Sequence, residues 1–128
     1  MAGTPSSWRQ RALAACLALP PDGTASHLTA SALVHLGEPA PPTPQLTVGP
    51  SRSARLAGVV VHRSPLDPQD VTRVEGIPTT TAGRTLVDCA GMLGPLRLQR
   101  MVDEAMHRRL VDPAQIDALW NRVRPGPG

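Results

Sequence analysis

The chain contains no lysine, phenylalanine or tyrosine, only two tryptophans (Trp8 and Trp120) and only two cysteines (Cys16 and Cys89). Each scarcity closes a class of function. Without lysine, nothing completes a metal-dependent nuclease centre of the Asp…(Asp/Glu)-x-Lys kind. With two aromatics there is little to stack single-stranded bases on. The cysteines stand apart, outside any CxxC pair. They read as small apolar core residues of a reduced protein, not as a staple or a metal site. No apolar run approaches the ~18 residues that span a membrane. "LAAC", Leu13 to Cys16, looks like a lipoprotein cleavage site, but such a signal needs an apolar segment of ~7–15 residues behind its charges. Here Arg9 and Arg11 lie immediately upstream. The expected location is cytoplasmic.

What is abundant is arginine. All 13 basic residues are arginine, and the formal net charge is +3. Arginine in place of lysine marks GC-rich coding sequence, so this charge alone is weak evidence for nucleic acid. The 128 residues amount to one domain with a real core. The 11 glycines and 15 prolines, about a fifth of the chain, predict short elements and many loops while staying below the ~25–30% typical of low-complexity disorder.

"SSWRQRALAACLAL" predicts a helix: Ser7 and Gln10 have capping-box spacing, and Leu13, Cys16 and Leu17 form a stripe. "SHLTASALVHLG" predicts a second, capped by Ser26, stopped at Gly37 and buried through Leu28, Ala32, Leu33 and Leu36. The period then changes. "QLTV" and "LAGVVVHR" read as strands joined by "GPSRSAR" as a basic-tipped hairpin. "DVTRVEGIPTT" continues the sheet through Val71 and Val74, with Pro78 suggesting an edge position. Three helices follow. Thr81 starts the first, which runs to about Met92; Gly94 and Pro95 separate it from the second, whose stripe is Leu98, Met101, Val102 and Ala105. Asp112, Pro113 and Gln115 start the third, with Ile116, Leu119, Trp120 and Val123 facing inward. The expected class is α+β: two N-terminal helices, a small antiparallel sheet with the basic hairpin, three C-terminal helices. The expected domain is 6–120, with 121–128 as a Pro/Gly tail or linker.

No constellation for catalysis emerges. His27, His35, His62 and His107 lack metal-ligand spacing, and no G-x-S-x-G elbow, P-loop or dinucleotide turn occurs. Asp103, Glu104, Asp112 and Asp117 fall on helix surfaces or caps. The reading is of a non-enzyme with no catalytic residue, cofactor or metal and no small-molecule substrate. Two helices followed by a hairpin carrying Arg52 and Arg55 have the order of a helix-turn-helix with a wing, so these two arginines are candidate nucleic-acid contacts. Against this, "SHLTASALVHLG" offers no Arg, Asn or Gln to read base edges. The patch "MHRR", His107 to Arg109, is explained by the negative end of its helix.

Arg84 has no such local explanation. It stands in the first turn of a helix, where a cation is unfavourable by ~0.3–1 kcal/mol. Asp88 follows at i+4, the poorer orientation for an ion pair. A planar, five-donor guanidinium can collect carbonyls or a carboxylate from the sheet and fasten the helix to it, with Asp88 orienting it. The competing role is an exposed contact to a partner or phosphate.

These residues also carry a resemblance. "GIPTTTAGRTLVDCA" resembles the "GIPVTSPARTLLDLA" type of segment in actinobacterial relatives of the AbiEi antitoxins of type IV toxin–antitoxin systems. The likeness extends over roughly residues 8 to 120, through "ASHLTASALVHL", "QLTV", "GVVVHR" and "RMVDEAMHRRLV". It implies a cytoplasmic regulatory or partner-binding domain, and makes His27, Thr29, Thr81, Arg84, Thr85 and Asp88 motif residues that mark the fold. In that family a winged helix usually precedes this region and an endonuclease-like domain, similar to very-short-patch repair nucleases, often follows it. This chain starts near where the winged helix finishes and stops at "RPGPG", where the nuclease-like domain begins. The expectation is therefore the middle or C-terminal antitoxin domain alone, a truncated form. Its expected partner is a cognate toxin or the missing domains of a split protein. The alternatives are a small module binding duplex DNA through Arg52 and Arg55, and the docking domain of a split endonuclease-like protein.

Overall fold

A computed structural model describes residues 7–123. Among them, five α-helices and a five-stranded mixed sheet make an α+β domain. The chain runs through α1 (Trp8–Leu17), β1 (Thr24–Ala25), α2 (His27–Leu33), β2 (Gln45–Val48) and β3 (Val60–Arg63). A short 3-10 turn (Pro68–Asp70) leads into β4 (Val71–Val74) and β5 (Ile77–Thr80). Three helices close it: α3 (Ala82–Ala90), α4 (Pro95–His107) and α5 (Pro113–Val123).

Helix starts follow local side-chain chemistry. Ser7 accepts the Gln10 backbone N–H while Gln10 accepts that of Ser7, closing the box at α1. The Thr81 hydroxyl accepts the Arg84 N–H at the head of α3, and Pro95 takes the first position of α4 behind Gly94. Asp112 accepts the Ala114 and Gln115 N–H groups at α5. α2 differs. Ser26 holds the cap position, but its hydroxyl makes no cap bond and turns instead to Thr47 and His27. The helix also ends at Leu33, before Gly37: His35 takes φ 62° and lets the Leu36 N–H reach back to the Ser31 carbonyl.

The sheet corrects the expected antiparallel layout. Its order is β3-β2-β1-β5-β4, with β2–β3 and β1–β5 parallel and β1–β2 and β4–β5 antiparallel. The central strand β1 lies between the two N-terminal helices, so the sheet does not simply follow them. The stretch Gly49–Arg55 is not a hairpin tip. β2 and β3 run parallel in register from Gln45↔Val60 to Val48↔Arg63, and a parallel pair needs a crossover, not a tight turn. The hairpin lies elsewhere, between β4 and β5, where Glu75 (φ 52°) and Gly76 (φ 79°) form a two-residue connection. Two successive positive φ angles suit the right-handed strand twist. Pro78 therefore lies in the interior strand β5, not at an edge. It is accommodated because β1 pairs β5 only at Ala25↔Thr79.

Two cores flank this frame. One joins α1, β1, α2, β2 and β5 through Ala15, Cys16, Leu19, Ala25, Leu33, Leu46, Val48 and Ile77. The other gathers Leu36, Leu86, Cys89, Met101 and Ala105 between α2, α3 and α4. In α2, Leu33 and Leu36 are buried as the stripe requires, while Leu28 and Ala32 are half-buried and Thr29, Ala30 and Ser31 fill the interior. α5 departs most from its pattern. None of its residues is buried, and Trp120 is 41% exposed. The helix runs to Val123, past the expected boundary at 120; residues 124–128 of the expected tail lie outside the described residues. Both cysteines are free and buried, and burial pushes the Cys16 thiol up to about 11 and the Cys89 thiol up to about 12.

Candidate functional site

The densest polar chemistry of the domain collects around Arg84, which is 0% exposed. α3 carries the residue on the face turned toward the β3–β4 connection. Its Nε donates to Asp88 Oδ1 at 2.9 Å, one helical turn on. Nη1 donates to the Pro65 carbonyl at 3.0 Å and to Asp70 Oδ2 at 3.2 Å. Nη2 donates to Ser64 Oγ at 2.8 Å. One guanidinium thus binds the helix to two successive parts of the chain between β3 and β4. Such hydrogen bonds to charged groups contribute more than the ~1 kcal/mol of neutral ones. That outweighs the small dipole penalty of a cation in the first helical turn.

Asp70 is the second hub. Its side chain is 3% exposed, and Arg122 of α5 grips it in bidentate fashion, Nη1 to Oδ2 at 3.0 Å and Nη2 to Oδ1 at 2.6 Å. Arg122 Nη1 also lies 2.9 Å from Asp67 Oδ2. Asp70 Oδ2 accepts the Asp67 N–H, and its backbone carbonyl accepts the Thr81 N–H at the mouth of α3. Sequence reasoning missed all three of these residues. Asp70 was read into a strand and Arg122 into the tail. The available signal was "DPQD", which repeats the Asp-Pro-x-(polar) grammar of the α5 start "DPAQ".

On the other side of Asp88 stand two histidines. The rings of His27 and His62 stack with centroids 3.8 Å apart and planes 21° from parallel. Thr47 donates to Ser26 Oγ at 2.7 Å. The Ser26 hydroxyl also lies 2.8 Å from His27 Nδ1, so a hydrogen bond joins the two side chains. Burial, then His62, then Arg84 push the His27 pKa down to about 3, so this ring is neutral. Burial also lowers His62, against the pull of Asp88. Burial raises the Asp88 carboxyl, opposed by Arg84 and His62. His62 Nε2 and Asp88 Oδ2 are buried without a hydrogen-bond partner. His27 sits at φ 55°, a left-handed conformation sparsely used by bulky residues.

The remaining motif residues bind element to element. Thr29 Oγ1 accepts the Gln45 N–H while Gln45 Oε1 accepts the Leu28 N–H, tying α2 to β2. Thr85 pairs with the Thr80 hydroxyl at 2.7 Å, tying α3 to β5. Arg52 and Arg55 are not brought to this cluster. Arg52 ion-pairs with Asp22 and donates to the Leu19 and Pro20 carbonyls, so it braces the loop after α1. Arg55 is exposed.

Chemically the cluster is closed. Ser26 and His27 have the contact of a nucleophile and its base, yet Ser26 is 0% exposed and His27, with its pKa near 3, is a weak base. The described residues contain no group of three or more His, Cys, Asp or Glu arranged to hold a metal. No described helix is long and apolar enough to cross a membrane.

Replacing Arg84 by alanine leaves Asp88 buried without its counter-ion and frees a carbonyl and a hydroxyl. Urea unfolding is expected to show a loss of ~3–5 kcal/mol, and Arg84→Lys should recover little, because an ammonium cannot serve the same fork. A loss under ~1 kcal/mol would contradict this assignment. A pH dependence also follows. The unfolded histidines bind protons near their ordinary value of about 6.5, while folded His27 resists protonation to about 3. The folded state therefore binds fewer protons in this window. Stability is full above pH 6.5 and falls as pH drops towards 3, by about 1 kcal/mol per unit at first. His62 acts in the same direction, and the raised Asp88 carboxyl offsets part of the effect near its acid end. The melting temperature should fall from pH 7 to pH 5, and His27→Asn, which suits a left-handed backbone, should flatten that slope. A flat wild-type profile would refute the buried neutral histidine.

Compared with protein-family models and with curated proteins, the chain matches none.

Proposed function

We propose that this chain is a non-catalytic, partner-binding domain of the AbiEi-antitoxin type, with a regulatory role. The observation that carries this reading is the closure of the polar cluster. Of the residues that distinguish the motif, Thr29, Arg84 and Thr85 spend hydrogen bonds on neighbouring elements, Thr81 and Asp88 bond Arg84 itself, His27 contacts Ser26, and Arg84 offers no surface to a substrate. The surface does offer large apolar side chains: Leu17, Leu96, Leu110, Met92 and Trp120 are 71%, 65%, 44%, 43% and 41% exposed. Such side chains suit a protein partner better than a nucleic acid. The duplex-DNA alternative loses its geometric premise, since no hairpin presents Arg52 and Asp22 already occupies its guanidinium.

The reading predicts that tagged chain, co-expressed with a nucleotidyltransferase-like toxin encoded beside it, retains that toxin through purification. It also predicts that the purified chain leaves plasmid DNA intact in magnesium. Magnesium-dependent cleavage would overturn the non-catalytic assignment, and absence of toxin capture would overturn the antitoxin one. Duplex binding whose affinity falls with salt, at a log–log slope of about −0.9 per phosphate, would restore the DNA-binding alternative.

A further inference from the structure

α5 is the only described α-helix that buries none of its residues. Its seat is nevertheless specific. Ile116 and Leu119 lie over Gly83 of α3, where an added Cβ would sit 3.8 Å from Ile116 Cδ1 and 3.4 Å from Leu119 Cδ2. One turn on, Arg122 reaches the Asp70 and Asp67 carboxylates. Beside these contacts a cleft of about 540 Å³ remains open, bordered by Gln69, Thr81, Leu110, Val111 and Gln115. Side chains lining unfilled space forgo dispersion contacts, so α5 fills its own seat poorly. Helices with few buried contacts are the first to open.

The seat also carries an electrostatic demand. With α5 in place, Arg84 and Arg122 face Asp67, Asp70 and Asp88. Without it, Asp67 loses its ion pair with Arg122, and Asp70 loses its bidentate partner and keeps only the single contact with Arg84. An incoming segment must therefore bring a cation, and the bidentate geometry at Asp70 specifies a guanidinium. The apolar half must supply two aliphatic side chains at helical spacing.

We infer that α5 is a displaceable occupant of a helix-receiving seat. The seat takes a partner's amphipathic helix carrying aliphatic, aliphatic and arginine side chains at i, i+3 and i+6, the pattern of Ile116, Leu119 and Arg122. This inference rests on the partner-binding reading and names its surface. It fails independently, because a toxin held at another face would leave α5 in its seat.

The test uses the full chain and a fluorescein-labelled peptide of residues 112–123, read by fluorescence anisotropy. In the wild type the resident helix competes at an effective concentration near millimolar, so the peptide should bind weakly. Arg122→Ala in the full chain loosens that competitor, and the wild-type peptide should then bind at least about ten-fold tighter. The same substitution in the peptide should remove most of that gain. Circular dichroism verifies that the variant chain is folded, and Leu119→Ala provides a second loosened chain with the Asp70 grip intact. Equal affinity for wild-type and loosened chains, equal affinity of the two peptides, or no binding to either loosened chain would overturn the inference.

Discussion

The structure depends on one buried cation. Arg84 enters the first turn of α3, where the helix dipole disfavours it, and recovers that cost through contacts the helix could not otherwise make. Its four hydrogen bonds reach Asp88 in the helix, Ser64 and Pro65 after β3, and Asp70 before β4. A lysine has neither the fork nor the reach to serve these directions together. Burying charges is costly, so this network need not surpass an apolar core of equal volume. Its effect is to make any half of the network expensive to lose. The connection between β3 and β4 and the helix α3 are thereby committed to one arrangement.

That commitment explains the other unusual features nearby. A charged cluster this deep must be neutralised, and Arg122 supplies the second cation from a helix with little apolar burial of its own. His27 and His62 stack against the same region; burial keeps His27 neutral, helped by His62 and the adjacent guanidinium, and lowers the His62 pKa against the pull of Asp88. A hydroxyl chain from Thr47 through Ser26 holds His27 at Nδ1. The motif residues, read from the sequence as marking the fold, thus have a structural account, in which Thr29, Arg84 and Thr85 join one element to another.

How much of this was legible depended on whether the determinant was local. The starts of α1, α3, α4 and α5 were written in Ser7, Thr81, Pro95 and Asp112, because caps involve residues two to three apart. The sheet was not, since a two-residue strand such as β1 carries no periodicity and parallel pairing of β2 with β3 is set by distant packing. The β4–β5 turn escaped because Glu75–Gly76 lacks the usual asparagine or aspartate signal. The apolar stripe of α5 was real, but a stripe states which face turns inward, not how deeply it is covered. Arg84 announced itself through its unfavourable position. Asp70 and Arg122, fifty-two residues apart, gave no comparable sign.

The most direct test of the central role given to Arg84 is a double-mutant cycle with Asp70, using Arg84→Ala, Asp70→Asn and the pair, each measured by urea unfolding. Contacting members of one charged network show coupling in the range of about 0.5–3 kcal/mol. The buried geometry predicts a value in the upper half of that range, with Asp88→Asn coupled to Arg84 similarly. Additive losses, with coupling under about 0.5 kcal/mol, would mean that the guanidinium merely occupies space and that another interaction joins α3 to the sheet.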